Sequence, residues 1–186
     1  MKKEIGLVIP TSILESKGLK PSDKLVFGLH YAYFKKKGTT TITQKEMGEI
    51  LNLHANMVSK SNKILEDNQL IKQGNYGFEV VKHFLDQLEK VEKTTEEIIL
   101  PFEVYSKKLN SGAKLLWGEY NRYKDTEGGY FVKRETTANN IGSSKASVSN
   151  WTRELAVEDM LQYDIDYGRK GSQRTVRTKN FNKKEE

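Results

Sequence analysis

The sequence predicts an α+β, mainly helical protein that is built from two similar halves. Two observations lead to this prediction. Shifting the chain by 90 residues gives 11 identities over positions 16–71 without a gap, which indicates an internal repeat. Within each half, segments with helical spacing of apolar residues precede a short alternating segment.

The identities of the repeat include glycines as well as apolar and basic residues, and they keep one register. A chance likeness between Lys-rich helices is the alternative, but the paired glycines argue against it. The matched pairs are Ser16 and Ser106, Lys17 and Lys107, Leu19 and Leu109, Lys24 and Lys114, Leu25 and Leu115, Gly28 and Gly118, Tyr33 and Tyr123, Gly38 and Gly128, Val58 and Val148, Ser59 and Ser149, and Leu65 and Leu155.

Domain boundaries follow from the repeat. It predicts a first domain over residues 1–84 and a second over residues 97–182, followed by a tail at 183–186. The linker, residues 85–96, is charged, and its start is predicted to be helical because Leu85, Leu88 and Val91 have helical spacing.

Each half is predicted to begin with a short strand. Ile5, Leu7 and Ile9 alternate with other residues, and residues 98–100 are their counterpart. Pro10 then opens a turn or a short helix.

A longer helix follows. Pro21 suits its first turn, Leu25 and Leu29 share one face, and Gly38 stands where a glycine commonly ends a helix. Residues 111–129 repeat this pattern.

Two further helices and a hairpin complete the half. Thr43 and Glu46 form a capping box at the start of one helix. After a tight turn, Val58, Ser61 and Leu65 lie on one face of the next. The alternating stretch "QLIKQGNYGFEVV", which carries paired glycines around its turn, predicts a β-hairpin.

The stretch "TITQKEMGEILNLHANMVSKSNKILEDNQLI" resembles the helix-turn-helix of bacterial regulators and of phage or plasmid replication proteins. With a helix before it and a hairpin after it, it is similar to the winged-helix form. "TTANNIGSSKASVSNWTREL" is the second copy. The resemblance implies two tandem winged-helix domains that bind double-stranded DNA. The chain departs from the usual pattern at Gly48, Asn52, Asn62, Asn68, Thr137 and Asn140.

In this motif the third helix enters the major groove and its outward side chains reach the bases. If Val58 and Leu65, and their counterparts Val148 and Leu155, point inward, the outward side chains are polar or basic. No acidic residue occurs from 53 to 65 or from 143 to 153, whereas an ordinary solvated helix mixes both signs. The candidate DNA-binding residues are Asn56, Ser59, Lys60 and Lys63 in the first half and Lys145, Ser147, Ser149, Asn150 and Arg153 in the second.

The second hairpin is predicted to be the longer one, by seven residues, and to be strongly basic. Residues 169–184 contain seven basic and no acidic residues. For Lys183 and Lys184 we favour a solvated tail. For Arg169, Lys170, Arg174 and Arg177 we expect contact with DNA phosphates or a minor groove.

Composition agrees with a polyanionic partner and gives no sign of catalysis. Lys and Arg number 31 against 25 Asp and Glu, and the chain has no cysteine. His30, His54 and His83 lack metal-ligand spacing, and no phosphate loop is present in the sequence. We therefore expect no enzyme activity, no cofactor and no bound metal. The N-terminal apolar run is too short for a signal core or a membrane span, so we expect a cytoplasmic protein that does not contact membranes.

The sequence thus predicts a sequence-specific double-stranded DNA-binding protein whose two modules act as a pseudo-dimer within one chain, although a homodimer stays open. Half-sites about 34 Å apart would suit successive major grooves, and the target should be asymmetric because the two helices differ. A transcriptional regulator and an accessory protein at a replication, partition or transfer origin both fit. The compact format resembles proteins of Gram-positive plasmids, phages and conjugative elements. A protein-protein interaction adaptor is the alternative from another class, and protein partners in a nucleoprotein complex are compatible with either.

Overall fold

A computed structural model of the chain describes residues 5–91, 97–124, 129–168 and 171–179. The protein is α+β and mainly helical, as predicted. The elements of the first half are β1 (Leu7–Pro10), α1 (Thr11–Glu15), α2 (Pro21–Lys37), α3 (Gln44–Leu51), α4 (Ala55–Asp67), β2 (Ile71–Gly74), β3 (Gly77–Val80) and α5 (Lys82–Val91). Those of the second half are β4 (Glu97–Leu100), α6 (Phe102–Tyr105), α7 (Ser111–Asn121), α8 (Arg134–Asn140), α9 (Lys145–Val157), β5 (Leu161–Gly168) and β6 (Gly171–Thr178).

The helix boundaries of the first half follow the local signals of the sequence. Pro21 is the first residue of α2, and Gly38 ends it in the left-handed conformation at φ 75°. The capping box of α3 is confirmed: the Thr43 amide donates to Glu46 Oε2 at 2.8 Å, and the Glu46 amide donates to Thr43 Oγ1 at 3.2 Å. The helix predicted at the start of the linker is α5, which begins before the linker, at Lys82.

An antiparallel hairpin follows α4 in the first half and α9 in the second. In the first, Gly74 lies opposite Gly77 at the turn, as predicted. Thr40 pairs with Phe78 and adds one residue of a third strand. Tyr130 pairs with Val176 in the second hairpin and takes the position that Thr40 has in the first, 90 residues earlier. The two hairpins are therefore held to their halves in the same way.

The two halves share a central sheet, because β1 pairs with β4 in antiparallel orientation. α2 packs on one strand and α7 on the other, and the glycines of the repeat permit this close approach. A Cβ at Gly28 would lie 2.7 Å from Ile9 Cγ1, and a Cβ at Gly118 would lie 2.6 Å from Leu100 Cδ2. Larger side chains at these two matched positions would separate the helices from the sheet.

The buried apolar residues form one core that continues through both halves. Leu7 and Ile9 of β1 and Ile98 and Leu100 of β4 lie at its centre and are completely buried. Among the residues that the structure describes, no helix is both long enough and apolar enough to cross a membrane.

Candidate nucleic-acid interface

Helix α4 is anchored by its apolar face and presents a polar face to solvent. Val58 and Leu65 are completely buried, as predicted. The four candidate residues of this helix, Asn56, Ser59, Lys60 and Lys63, are all exposed. No described side chain caps the start of α4, so its first amides are available to an anion.

Two polar contacts fix α4 against α2. Ser61 Oγ donates to Asp23 Oδ1 at 2.6 Å, and Asn62 Oδ1 lies 3.0 Å from His30 Nε2. All four residues are buried. Burial lowers the pKa of His30 to about 4, so its ring is neutral and acts as a structural partner of Asn62. Asn62, a departure from the usual motif, therefore has a packing role here.

The turn between α3 and α4 explains two further departures. Asn52 ends α3 with φ 53°, a left-handed conformation that asparagine tolerates well. Gly48 lies so close to the following turn that a Cβ there would be 2.5 Å from the Leu53 carbonyl oxygen. Asn52 and Gly48 thus allow the tight turn that sets the direction of α4.

Helix α9 has the same anchors and a different outer surface. Val148 and Leu155 are completely buried. Ser144 caps the helix by accepting a hydrogen bond from the Ser147 amide at 3.1 Å. The candidate residues Lys145, Asn150 and Arg153 are exposed, whereas Ser147 and Ser149 are half-buried.

The hydroxyls of the two half-buried serines are engaged locally. Ser147 Oγ lies 2.9 Å from Ser144 Oγ, and Ser149 Oγ donates to the Lys145 carbonyl at 3.0 Å. The Lys145 ammonium forms an exposed ion pair with Glu135 of α8 at 3.0 Å. Of the five candidates on α9, Asn150 and Arg153 are therefore the ones with the greatest freedom to reach a ligand.

The contact of α9 with α7 uses different chemistry at the positions that fix α4 on α2. Trp151 stands where the first half has Ser61, and its ring packs over Gly112, where a Cβ would overlap it. The Tyr120 hydroxyl lies 3.0 Å from Thr152 Oγ1, matching the contact between His30 and Asn62. Each replacement in α9 is thus matched by a replacement in α7.

The polar residues Thr137 and Asn140, which depart from the apolar motif, lie around a buried carboxylate that sequence reasoning missed. Glu119 is completely buried, and its Oε1 accepts from Asn140 Nδ2 at 2.8 Å. Arg122 forms an ion pair with the same carboxylate at 2.9 Å. The Tyr130 hydroxyl connects Thr137, at 2.8 Å, with Glu119, at 3.4 Å. A glutamate inside the apolar stripe of α7 was the available signal.

The second hairpin is longer than predicted. It runs from Leu161 to Thr178, whereas the first runs from Ile71 to Val80, so the difference is eight residues and not seven. The prediction missed the extra residue because it took its register from the matched segments behind the hairpins, "KHF" and "KNF".

The basic candidates of this hairpin are described to different extents. Arg177 is exposed, and its backbone lies opposite Gln162. The backbone of Arg174 lies opposite Ile165 in the ladder. Arg169 and Lys170, together with the predicted tail at 183–186, lie outside the described residues.

The first hairpin contains a surface residue that sequence reasoning did not select. Tyr76, in the turn between β2 and β3, is 82% exposed. Tyrosine is enriched at interfaces because its ring is apolar and its hydroxyl can form a hydrogen bond. A Gly-bracketed turn with a tyrosine was the signal in the sequence.

The described residues contain no group of three or more histidine, aspartate or glutamate side chains that could hold a metal ion. No family model matches the chain, and no curated protein or solved structure is significantly similar to it. The features of the chain that bear on function are therefore the geometry of α4, α9 and the two hairpins.

Proposed function

We propose that the chain binds double-stranded DNA through two winged-helix modules, without catalysis. The order of elements supports this assignment, because three helices precede an antiparallel hairpin in each half. These helices are α2, α3 and α4 in the first half and α7, α8 and α9 in the second. Thr40 and Tyr130 each pair with one residue of a hairpin and so add one residue of a third strand to it. This order suits a third helix in a major groove with a hairpin beside it.

The observation that carries the proposal is the outer face of α4 and α9. Each helix buries a valine and a leucine seven residues apart and exposes polar and basic side chains. Residues 53–65 and 143–153 contain no acidic residue, so the N-terminal part of each face carries no negative charge, and acidic side chains begin only at Glu66 in α4 and Glu154 in α9. A major groove about 12 Å wide admits one such helix.

The side chains suit distinct roles on DNA. Asn56 and Asn150 can bond adenine with two hydrogen bonds, and Lys60 and Arg153 can reach guanine or phosphate. The basic residues of the second hairpin, Arg169, Lys170, Arg174 and Arg177, would contact phosphates and contribute to salt dependence. Such binding serves a promoter and an origin of a mobile element equally well.

Substitutions on the two helices test the proposal. A duplex selected from a random-sequence pool is titrated at several salt concentrations with wild type, Lys60→Ala and Arg153→Ala. Each substitution should weaken binding by about 1–3 kcal/mol if the side chain reads a base. Lys108→Ala removes the same charge from an exposed position outside both helices and should leave affinity nearly unchanged.

Changes in the hairpin should have a different signature. Arg169→Ala and Lys170→Ala should each reduce the slope of log affinity against log salt by about one, with little change in sequence preference. Neutral results for all four substitutions would contradict the site. A protein partner retained at high salt, with no shift of any duplex, would favour the adaptor function instead.

A further inference from the structure

The contacts between the two halves follow a two-fold rotation. In the shared sheet, Leu7 lies opposite Leu100 and Ile9 opposite Ile98, while Val8 lies opposite Ile99. The segments "LVIP" at 7–10 and "IILP" at 98–101 match at an offset of 91, so Val8 pairs with its own counterpart. An axis through this pair exchanges the two strands. A simple translation of one half along the chain direction would not produce this pairing.

Two buried lysines, which lie in α2 and α7 outside the sheet, repeat the same symmetry. Lys24 Nζ donates to the Leu14 carbonyl at 2.6 Å within its own half and to the Ile141 carbonyl of the other half at 2.9 Å. Lys114, its counterpart, donates to the Tyr105 carbonyl at 2.8 Å in its own half and to the Leu51 carbonyl of the other at 2.7 Å.

The acceptors correspond as closely as the donors. Leu51 and Ile141 are 90 residues apart, as are the two lysines, and each carbonyl lies at the end of the helix that precedes α4 or α9. A lysine of each half therefore forms a hydrogen bond with the end of α3 or α8 in the other half. Gly142 shows how close this packing is, since a Cβ there would lie 2.6 Å from the Ser16 carbonyl oxygen and 2.7 Å from Lys24 Nζ.

A two-fold relation between the halves dictates how two recognition helices meet one duplex. The rotation that exchanges the halves also exchanges α4 and α9. When a two-fold protein contacts DNA with both equivalent helices, its axis coincides with a two-fold axis of the duplex, and the segments that it reads are inverted. Two modules related by translation would instead read a direct repeat.

From this symmetry we infer that the chain recognises two half-sites in inverted orientation at one fixed spacing, on a single duplex. The inference rests on the proposed DNA binding. It adds the orientation of the half-sites, which the order of elements in each half leaves open. Because α4 and α9 carry different side chains, the inverted half-sites of the natural target are unlike each other.

The repeat provides an unusually direct test, because the outer face of one helix can be copied onto the other. Copying the outer face of α4 onto α9 changes four exposed positions and the half-buried Ser147, so the buried anchors and the contacts with α7 stay unchanged. The substitutions are Lys145→Ala, Ala146→Asn, Ser147→Met, Asn150→Lys and Arg153→Lys. The opposite copy, of α9 onto α4, consists of Ala55→Lys, Asn56→Ala, Met57→Ser, Lys60→Asn and Lys63→Arg.

The experiment selects duplexes from a random-sequence pool with wild type and with both copied variants, each checked for folding by circular dichroism. Wild type should return two unlike segments at one spacing. Each copied variant should return a perfect palindrome within the helix-read segments, at the same spacing. The two palindromes should differ, and each should duplicate one half of the wild-type site.

The outcomes separate the two proposals. Copied variants that return a perfect direct repeat, a single segment or several spacings would overturn the inverted arrangement while DNA binding stands. If no protein enriches any duplex, the proposed function itself is wrong, and the arrangement falls with it. The second copied variant keeps the test decisive if the first does not fold.

Discussion

The two halves place helices in the same positions but use different chemistry between them. In the first half the interface of α2 and α3 includes Leu29 and Met47, which are buried, and Ile50, which is half-buried. The residues 90 positions later are Glu119, Thr137 and Asn140, and they form a hydrogen-bonded group.

This difference shows that residues in contact with one another differ together between the two halves, while the helices keep their positions. A buried glutamate alone would be costly, but Asn140, Arg122 and Tyr130 satisfy its oxygens. Burial raises the pKa of Tyr130, so its hydroxyl stays protonated and forms hydrogen bonds within this group. The contacts of α4 and α9 with their neighbours changed in the same concerted way.

The largest expected effect comes from breaking the polar set in the second half. Glu119→Leu introduces the residue that the first half has at this position, Leu29. It also removes the carboxylate that the Asn140 amide and the Arg122 guanidinium contact. The free energy of unfolding should fall by about 3–5 kcal/mol, measured by urea denaturation and circular dichroism.

Restoring the whole apolar set sharpens this test. The triple variant Glu119→Leu, Thr137→Met and Asn140→Ile should regain part of the lost stability, because the three residues then match those of the first half. Glu103→Leu, at an exposed position, should change stability by less than about 0.5 kcal/mol. A triple variant less stable than the single one would show that the two sets are not interchangeable.

An intermediate effect is expected where the halves are alike. Gly28→Ala and Gly118→Ala each place a Cβ within 2.7 Å of a side chain of the central sheet. Each should lower the free energy of unfolding by about 1–3 kcal/mol because of overpacking. Gly18→Ala is the control, since its Cβ would have its nearest contact at 3.9 Å. Unequal losses at the two matched glycines would indicate that the sheet is not packed symmetrically.

The smallest effect concerns the pH dependence of the two buried lysines. Burial lowers the pKa of both Lys24 and Lys114 from 10.5 to about 8, against the smaller opposing effects of Asp23 and Glu154. Between these values the unfolded chain binds more protons than the folded one, so stability rises with pH. Below pH 8 both states are protonated and this gain is absent.

The lysine contribution can be isolated by difference. The stability of wild type relative to Lys24→Met should increase by about 1 kcal/mol between pH 8 and pH 9, and Lys114→Met should behave alike. Unfolding curves measured at each pH provide the comparison. Lys108→Met, at an exposed position, should show no such increase. A flat difference for both buried lysines would contradict the proposed cause.

Much of the architecture was predictable because its signals are local. The capping box of Thr43, the glycine that ends α2, the glycine-bracketed first hairpin and the burial of Val58 and Val148 each depend on a few neighbouring residues. The exposure of the candidates on α4 followed from the same helical periodicity. DNA binding itself stays a prediction, which the selection and the titrations will test.

Other features could not be predicted because they depend on residues far apart in the chain. The length of the second hairpin depends on which residues pair across it. The buried carboxylate of Glu119 is stable only because α8 and the second hairpin bring its partners to it.

The sequence by itself indicated an internal repeat, the order of the helices and hairpins, and which side of α4 and α9 faces inward. Propensity, capping and periodicity act over a few residues, so they can be read without the fold. Only the tertiary structure decided that the halves are related by a two-fold rotation. That relation depends on the pairing of Val8 with Ile99 and on two lysines that each cross to the other half. Such contacts join residues between 63 and 117 positions apart, and no local pattern specifies them.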